Sequence, residues 1–125
     1  MKLLLDTHVL LWWLADDRRL TARGRKWIAQ ADQAVFVSAA SGWEIAIKRA
    51  LGKLQAPSNL AAMLVENQFA ELPIRIAHAE QAARLPRIHE DPFDRMLIAQ
   101  AMHENLILLT HDKRLAGYPV ETLIL

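Results

Sequence analysis

An α/β fold, built on a parallel sheet covered by helices on both faces, is the fold class this chain predicts, and three features carry the prediction. Two short apolar runs, Leu3–Leu5 near the start and Leu106–Leu109 near the end, show no polar alternation, the pattern of strands buried on both faces. Between them, β-prone runs alternate with segments of helical spacing. Both apolar runs stop on polar residues, Asp6–Thr7 in one case and Thr110–His111–Asp112 in the other. In open α/β sheets the carboxyl ends of the strands form the edge where ligands bind.

The elements follow in order. After the first strand, Asp6 or Thr7 is placed to cap an apolar helix running from about His8 through Leu14. Asp16 and Asp17 begin a polar turn, and Leu20 to Ala31 has helical spacing with Thr21 as its cap. Ala34 to Val37 is β-prone and predicts a second strand. Ser38 and Ser41 then open a helix whose apolar stripe reads Trp43, Ala46, Ile47, Ala50 and Leu51, with Gly52 as a left-handed terminator. Pro57 and Ser58 mark a loop, Leu60 to Gln68 is amphipathic, and a short strand falls within Phe69–Ile76, interrupted by Pro73. Ile76 to Leu85 is helical until Pro86 stops it. Asp91 and Pro92 are a cap and a first helical residue for a helix through Met102. After the Leu106–Leu109 strand and a turn at Gly117–Pro119, Val120 to Leu125 forms the last strand.

With 125 residues and 53% hydrophobic content, the chain can bury one core, and a single domain spanning 1–125 is expected. The absence of cysteine removes disulfides, thiolate metal ligands and thiol nucleophiles, so any metal is held by oxygen or imidazole. No stretch reaches the about 18 to 20 apolar residues of a membrane span, and no signal-peptide pattern opens the chain, so a cytoplasmic protein is expected. Fifteen basic against fourteen acidic residues leave a net charge of +1, which neither calls for nor excludes a polyanion. Basic residues gather at Arg18–Lys26 and at Lys48, Arg49 and Lys53, as solvated helix faces or as contacts to a phosphate backbone.

Four acids converge on the predicted edge. Asp6 and Asp112 follow strands expected to be parallel neighbours, while Glu44 and Asp94 lie early in the helices beginning near Ser41 and Pro92. Two like charges about 4 Å apart repel by about 4 kcal/mol at an effective dielectric of about 20, so such a cluster calls for a cation. An oxygen-only set at strand and helix ends suits Mg²⁺ or Mn²⁺. Each acid also has an ordinary explanation: Glu44 and Lys48 are an i, i+4 pair, Asp91 and Asp94 face a helix dipole, and Asp112 heads a short turn. His8 and His111 adjoin candidate acids, whereas His78, His89 and His103 have no metal-ligand spacing.

Taken together, "LLLDTHVLLWWL", "SGWEIAIKRALGKL", "DPFDRMLIAQA" and "LILLTHDKRL" resemble the PIN-domain nucleases, especially the VapC-type toxins of prokaryotic toxin–antitoxin pairs, over essentially the whole chain. The resemblance implies a three-layer α/β/α sandwich with a mostly parallel sheet, and metal-dependent cleavage of single-stranded RNA. It also implies an antitoxin partner and a homodimer. By position it implies Asp6, Glu44, Asp94 and Asp112 as the catalytic and metal-binding acids, with Asp91 able to replace or assist Asp94. Thr110 is the hydroxyl accompanying the last acid, and Thr7, Lys48, Arg49 and the basic cluster near Arg23 are candidate substrate contacts. The competing readings are a phosphatase or phosphotransferase with Asp6 as nucleophile, weakened by His8 where a partner acid is usual, and a receiver-like domain, which lacks an acceptor Asp in Val35–Ser38. A non-catalytic binding module is a third, in which Trp12, Trp13, Trp27 and Trp43 serve association instead of the core.

Overall fold

The computed structural model describes residues 1–30 and 34–125, so the expected end of the second helix at Ala31 lies outside the described residues. The strands are β1 (Lys2–Leu5), β2 (Ala34–Ser38), β3 (Ala70–Leu72), β4 (Ile107–Thr110) and β5 (Thr122–Ile124). The helices are α1 (Thr7–Leu14), α2 (Ala22–Ala29), α3 (Ala39–Ala50), α4 (Leu60–Glu66), α5 (Ile76–Arg84) and α6 (Pro92–Glu104), with a 3₁₀ turn at Lys113–Gly117. The sheet order is β3-β2-β1-β4-β5, and every pairing in it is parallel.

The chain first steps outward from β1 to β2 and β3, then returns across the sheet to lay β4 on the other side of β1. Because crossovers are right-handed, reversing the direction of travel moves the connecting helices to the opposite face. Accordingly α1 to α4 supply one core layer, with Val9, Leu10, Ile28, Ile45 and Leu64, while α5, α6 and the 3₁₀ turn supply the other, with Ala82, Leu97, Ile98 and Leu115. The strands alternate between the layers: Leu3 and Leu5 join the first cluster and Leu4 the second, all fully buried. This explains the unbroken apolar runs, since both faces of β1 and β4 need apolar side chains. No helix among the described residues is long and apolar enough to cross a membrane.

Most helix ends fall where their capping chemistry predicts. Asp6, Thr21, Ser38 and Asp91 each accept a backbone N–H from the first turn of α1, α2, α3 and α6. Gly52, just past α3, has φ +70°. The expected stripe of α3 is wrong: Trp43 and Leu51 are more than 60% exposed, and the buried face carries Ala40, Ser41, Glu44 and Ile45. Apolar content alone misplaced that face, because the inward positions include a serine and a glutamate that the site uses.

Candidate active site

The crevice between β1 and β4 is the point where the strand order reverses, and in α/β sheets that is where ligands bind. Leu5 and Leu109 are register partners, so Asp6 and Thr110 emerge side by side at the carboxyl edge. The Thr110 hydroxyl donates a short hydrogen bond to Asp6 Oδ2, while Asp6 Oδ1 accepts the Val9 N–H at 2.8 Å. Asp6 is thus both helix cap and edge carboxylate, and the two readings of it are not rivals. Thr110 Oγ1 also accepts the Asp112 N–H at 3.0 Å, which fixes the two acids relative to each other. His111 places Nδ1 3.4 Å from Asp6 Oδ2, and that contact raises the imidazole's pKa.

Glu44 comes from the buried face of α3. Its Oε2 accepts from Lys48 Nζ at 2.6 Å, and this hydrogen bond raises the lysine pKa. Its Oε1 is buried and has no hydrogen-bond partner among the described residues. Asp94 arrives from the first turn of α6, whose packing against α3 brings it into range of Glu44. Burial first, then the charges of Asp91, Asp6 and Glu44, push its pKa up to about 6, against a lowering by His89. Asp94 therefore senses three other carboxylates at this edge, Asp91 from the cap of its own helix, Asp6 from the end of β1 and Glu44 from α3. Asp91 spends its carboxylate on the α6 cap, its Oδ1 accepting from Phe93 N at 2.8 Å and Asp94 N at 3.2 Å. Asp112 is held by the Arg114 guanidinium at 3.1 and 2.8 Å, which brings its pKa down to about 2.

His89 is the member that sequence reasoning missed. Its Nδ1 accepts the Asp91 N–H at 3.1 Å, so the ring proton resides on Nε2. That Nε2 stands 3.2 Å from both Asp94 Oδ2 and Asp112 Oδ2, one N–H spanning two carboxylates. The ring is held by its own backbone: the His89 N–H donates to Tyr118 Oη at 2.7 Å, and its carbonyl accepts from Arg95 at 3.2 Å. Arg95 also donates to the carbonyls of Ala82, Leu85 and Pro86, clamping the end of α5 and the loop that carries His89. No motif signals this role, because it depends on a loop and two distant carboxylates converging.

Other expected contacts fall differently. Thr7 is buried, its hydroxyl donating to Ser41 Oγ at 3.0 Å, so it ties α1 to α3 and does not face a ligand. Lys48 sits beside Glu44, and Arg49 is exposed at the end of α3. The Arg18–Lys26 cluster is largely engaged within the protein: Arg19 pairs with Asp17, Arg25 with Asp16, and Arg23 bonds the Ile124 carbonyl while lying 5.1 Å over Trp27. A cleft of about 500 Å³ opens at the His89 loop, lined by Ala83, Leu85, Arg87, Glu90 and Arg95 and touching the site through His89. None of the four acids lines it.

The donor set suits a hard divalent cation. It consists of carboxylate oxygens, includes a buried oxygen with no partner among the described residues, and raises the pKa of one acid through burial and then its neighbours' charge. The PIN domain model matches residues 3–121. Ribonuclease VapC22 of Mycobacterium tuberculosis is 32% identical over 120 residues, covering 92% of this chain and 90% of that protein. Among solved structures, VapBC2 from Rickettsia felis bound to a DNA fragment from their promoter aligns at a TM-score of 0.75 with 14% identity, covering 100% of this chain and 99% of that one. FitAcB from Neisseria gonorrhoeae aligns at 0.66 with 20% identity over 97% of this chain and 96% of that one.

Proposed function

This chain belongs to the PIN-domain family, and from that premise we propose that it is a metal-dependent endoribonuclease that hydrolyses single-stranded RNA as the toxin of a toxin–antitoxin pair. The observation that carries the reading is the meeting of Asp6, Glu44 and Asp94 with Asp112 at the β1/β4 edge, with Asp94 pushed up to about 6 by burial and by its neighbours' charge. We assign catalysis and metal binding to these acids, and to Asp91 the capping of α6.

A Mg²⁺ or Mn²⁺ ion held by these carboxylates would fix the scissile phosphate and acidify the attacking water. In the hydrolysis a water oxygen attacks phosphorus, the bond to one ribose oxygen breaks, and the leaving oxygen takes up a proton. The chain's own contribution is to hold the oxygens still. Thr110 and the Val9 N–H orient Asp6, Lys48 orients Glu44, and the single His89 N–H sets the spacing of Asp94 and Asp112. Lys48, beside Glu44, and the exposed Arg49 at the end of α3 are assigned to phosphate contacts, giving affinity that falls with salt and carries no sequence choice. A single nuclease domain over 1–125, an antitoxin partner, a homodimer and a cytoplasmic location complete the reading. A covalent phosphatase mechanism is disfavoured because His8 stands where the partner acid of such a nucleophile is usual.

Incubating the protein with RNA in Mg²⁺, Mn²⁺ or EDTA, beside p-nitrophenyl phosphate, tests this. Cleavage is expected only with metal, and Asp6→Asn, folded by circular dichroism, is expected to lose at least about 100-fold of it. Undiminished cleavage by that variant, or hydrolysis of the phosphomonoester alone, would overturn the assignment.

A further inference from the structure

The acid cluster is flanked by aromatic rings, exposed at Trp43, His8 and His111 and half-buried at Trp12 and Phe93, that the chemistry just described does not use. On the β1/β4 side, Trp12 and His111 lie 4.9 Å apart between centroids, and His8 stands 5.1 Å from His111 and 6.1 Å from Trp12. This three-ring shelf is joined directly to the site, because His111 touches Asp6. On the α3/α6 side, Trp43 and Phe93 pack edge to face at 5.7 Å. Each of these two residues immediately precedes an acid of the cluster, Glu44 and Asp94.

Trp43 is 63% exposed although it is among the largest apolar side chains in the chain. Leaving such a ring in water forgoes burial that would otherwise stabilise the fold, and beside Phe93 it presents a flat apolar face next to two of the acids. Both shelves are built from flat rings instead of aliphatic side chains, and cations stand with them: the exposed Arg19 side chain lies over the Trp12 ring, 5.4 Å from its centroid, where an incoming base would displace it, and Lys48 and Arg114 are bonded to acids of the cluster. Flat rings beside cations, on either side of a site for phosphate chemistry, match the two chemistries of a nucleic-acid strand, π-faced bases on an anionic backbone.

We infer that Trp12 with His111 and Trp43 with Phe93 are two nucleobase-stacking subsites, which receive the bases on either side of the phosphate that is cleaved. The inference rests on the ribonuclease reading and deepens it. Bases stacked inside a duplex cannot open onto two separate shelves, so the enzyme takes an unpaired strand with the two bases splayed apart. Stacking tolerates any base, so these subsites choose strand state more than sequence.

The test uses a single-stranded RNA oligonucleotide of mixed sequence whose cleavage site is first mapped with the parent protein, and copies of it carrying an abasic ribose on one or the other side of that site. Trp43→Ala and Trp12→Ala are each expected to raise KM roughly 10- to 100-fold with a smaller change in kcat. Trp43→Phe and Trp12→Phe, which keep a stacking face, are expected to return KM to within about threefold of the parent. On the oligonucleotide abasic at the matching side, parent and Ala variant are expected to be equal, since the lost contact is the same one. Unchanged KM in the folded Ala variants overturns the inference while leaving the ribonuclease reading intact, and absence of metal-dependent cleavage by the parent overturns that reading itself. A Trp43→Ala protein that keeps its RNA KM but changes its mass in light scattering would assign this shelf to a protein interface and equally overturn the inference.

Discussion

His78 and His89 each accept a backbone N–H on Nδ1, from Arg75 at 3.0 Å and from Asp91 at 3.1 Å, and each therefore carries its proton on Nε2. Around each, three ligand-type atoms lie within 4.8 Å: His78 with His103 and Glu104, His89 with Asp94 and Asp112. Their surroundings part from there. His89 Nε2 reaches two carboxylates at 3.2 Å, one from α6 and one from the end of β4. His78 is completely buried, its Nε2 has no hydrogen-bond partner, and Glu104 stands 3.6 Å away. An Nε2 that carries a proton presents no lone pair, so in this state neither ring is a metal ligand through that atom. The difference lies in location. His78 braces α5 against α6 within one layer, whereas His89 stands where a loop, a helix start and a strand end meet at the switch point of the sheet. The same local chemistry becomes part of a site only where the fold brings acids from elsewhere to it.

The largest expected consequence concerns pH and appears only at the His89 corner. Asp94 stands at about 6 in the folded protein against an ordinary value of 3.8, so its stabilising contribution is full below about pH 4 and is lost as pH rises through 6. A shift of that size taken alone corresponds to on the order of 3 kcal/mol. Metal-free protein should therefore melt at falling temperature from about pH 4 to 6.5, and the raised His111 pKa should extend the fall above about pH 6.5. Asp94→Asn should flatten the profile, and His78→Ala should leave its slope intact. A parent profile that is flat across that window would remove the like-charge repulsion from the account.

Next in size is the metal response. His89→Ala should raise the Mn²⁺ concentration needed for half-maximal cleavage by about 10- to 100-fold, because Asp94 and Asp112 lose the group that spaces them. His89→Gln, which offers an N–H at comparable reach, should recover part of that loss. His78→Ala should instead lower the melting temperature, by removing a buried ring and a backbone acceptor, with the Mn²⁺ dependence unchanged. Equal Mn²⁺ dependence in the two alanine variants would erase the distinction between the corners.

The smallest effect separates neighbouring acids within one corner. Asp91→Ala removes the cap of α6 and should cost about 1 kcal/mol of stability, read by denaturant titration, while most cleavage is kept. If instead that variant is stable and inactive, Asp91 and not Asp94 is the third acid.

The sequence by itself determined the α/β class, the caps at Thr21 and Asp91, a cap at Asp6 or Thr7 for α1 and at Ser38 or Ser41 for α3, the terminator at Gly52 and the two doubly buried apolar strands. Each of these follows from chemistry within a few residues, or from a run of side chains that must be apolar on both faces. The acids at the edge were legible for the same reason, since a strand end or a helix start places its polar residue wherever the strand or helix goes. Tertiary structure alone decided which face of α3 is buried, bringing Glu44 inward and leaving Trp43 in water, because that choice depends on what α6 and the sheet present to it. It also decided that His89, without a recognisable ligand spacing, spans two carboxylates, and that Thr7 is spent on Ser41. Contacts between residues far apart in sequence form only when the crossover from β3 to β4 closes the sheet around β1, and no local pattern encodes where that closure leaves a side chain.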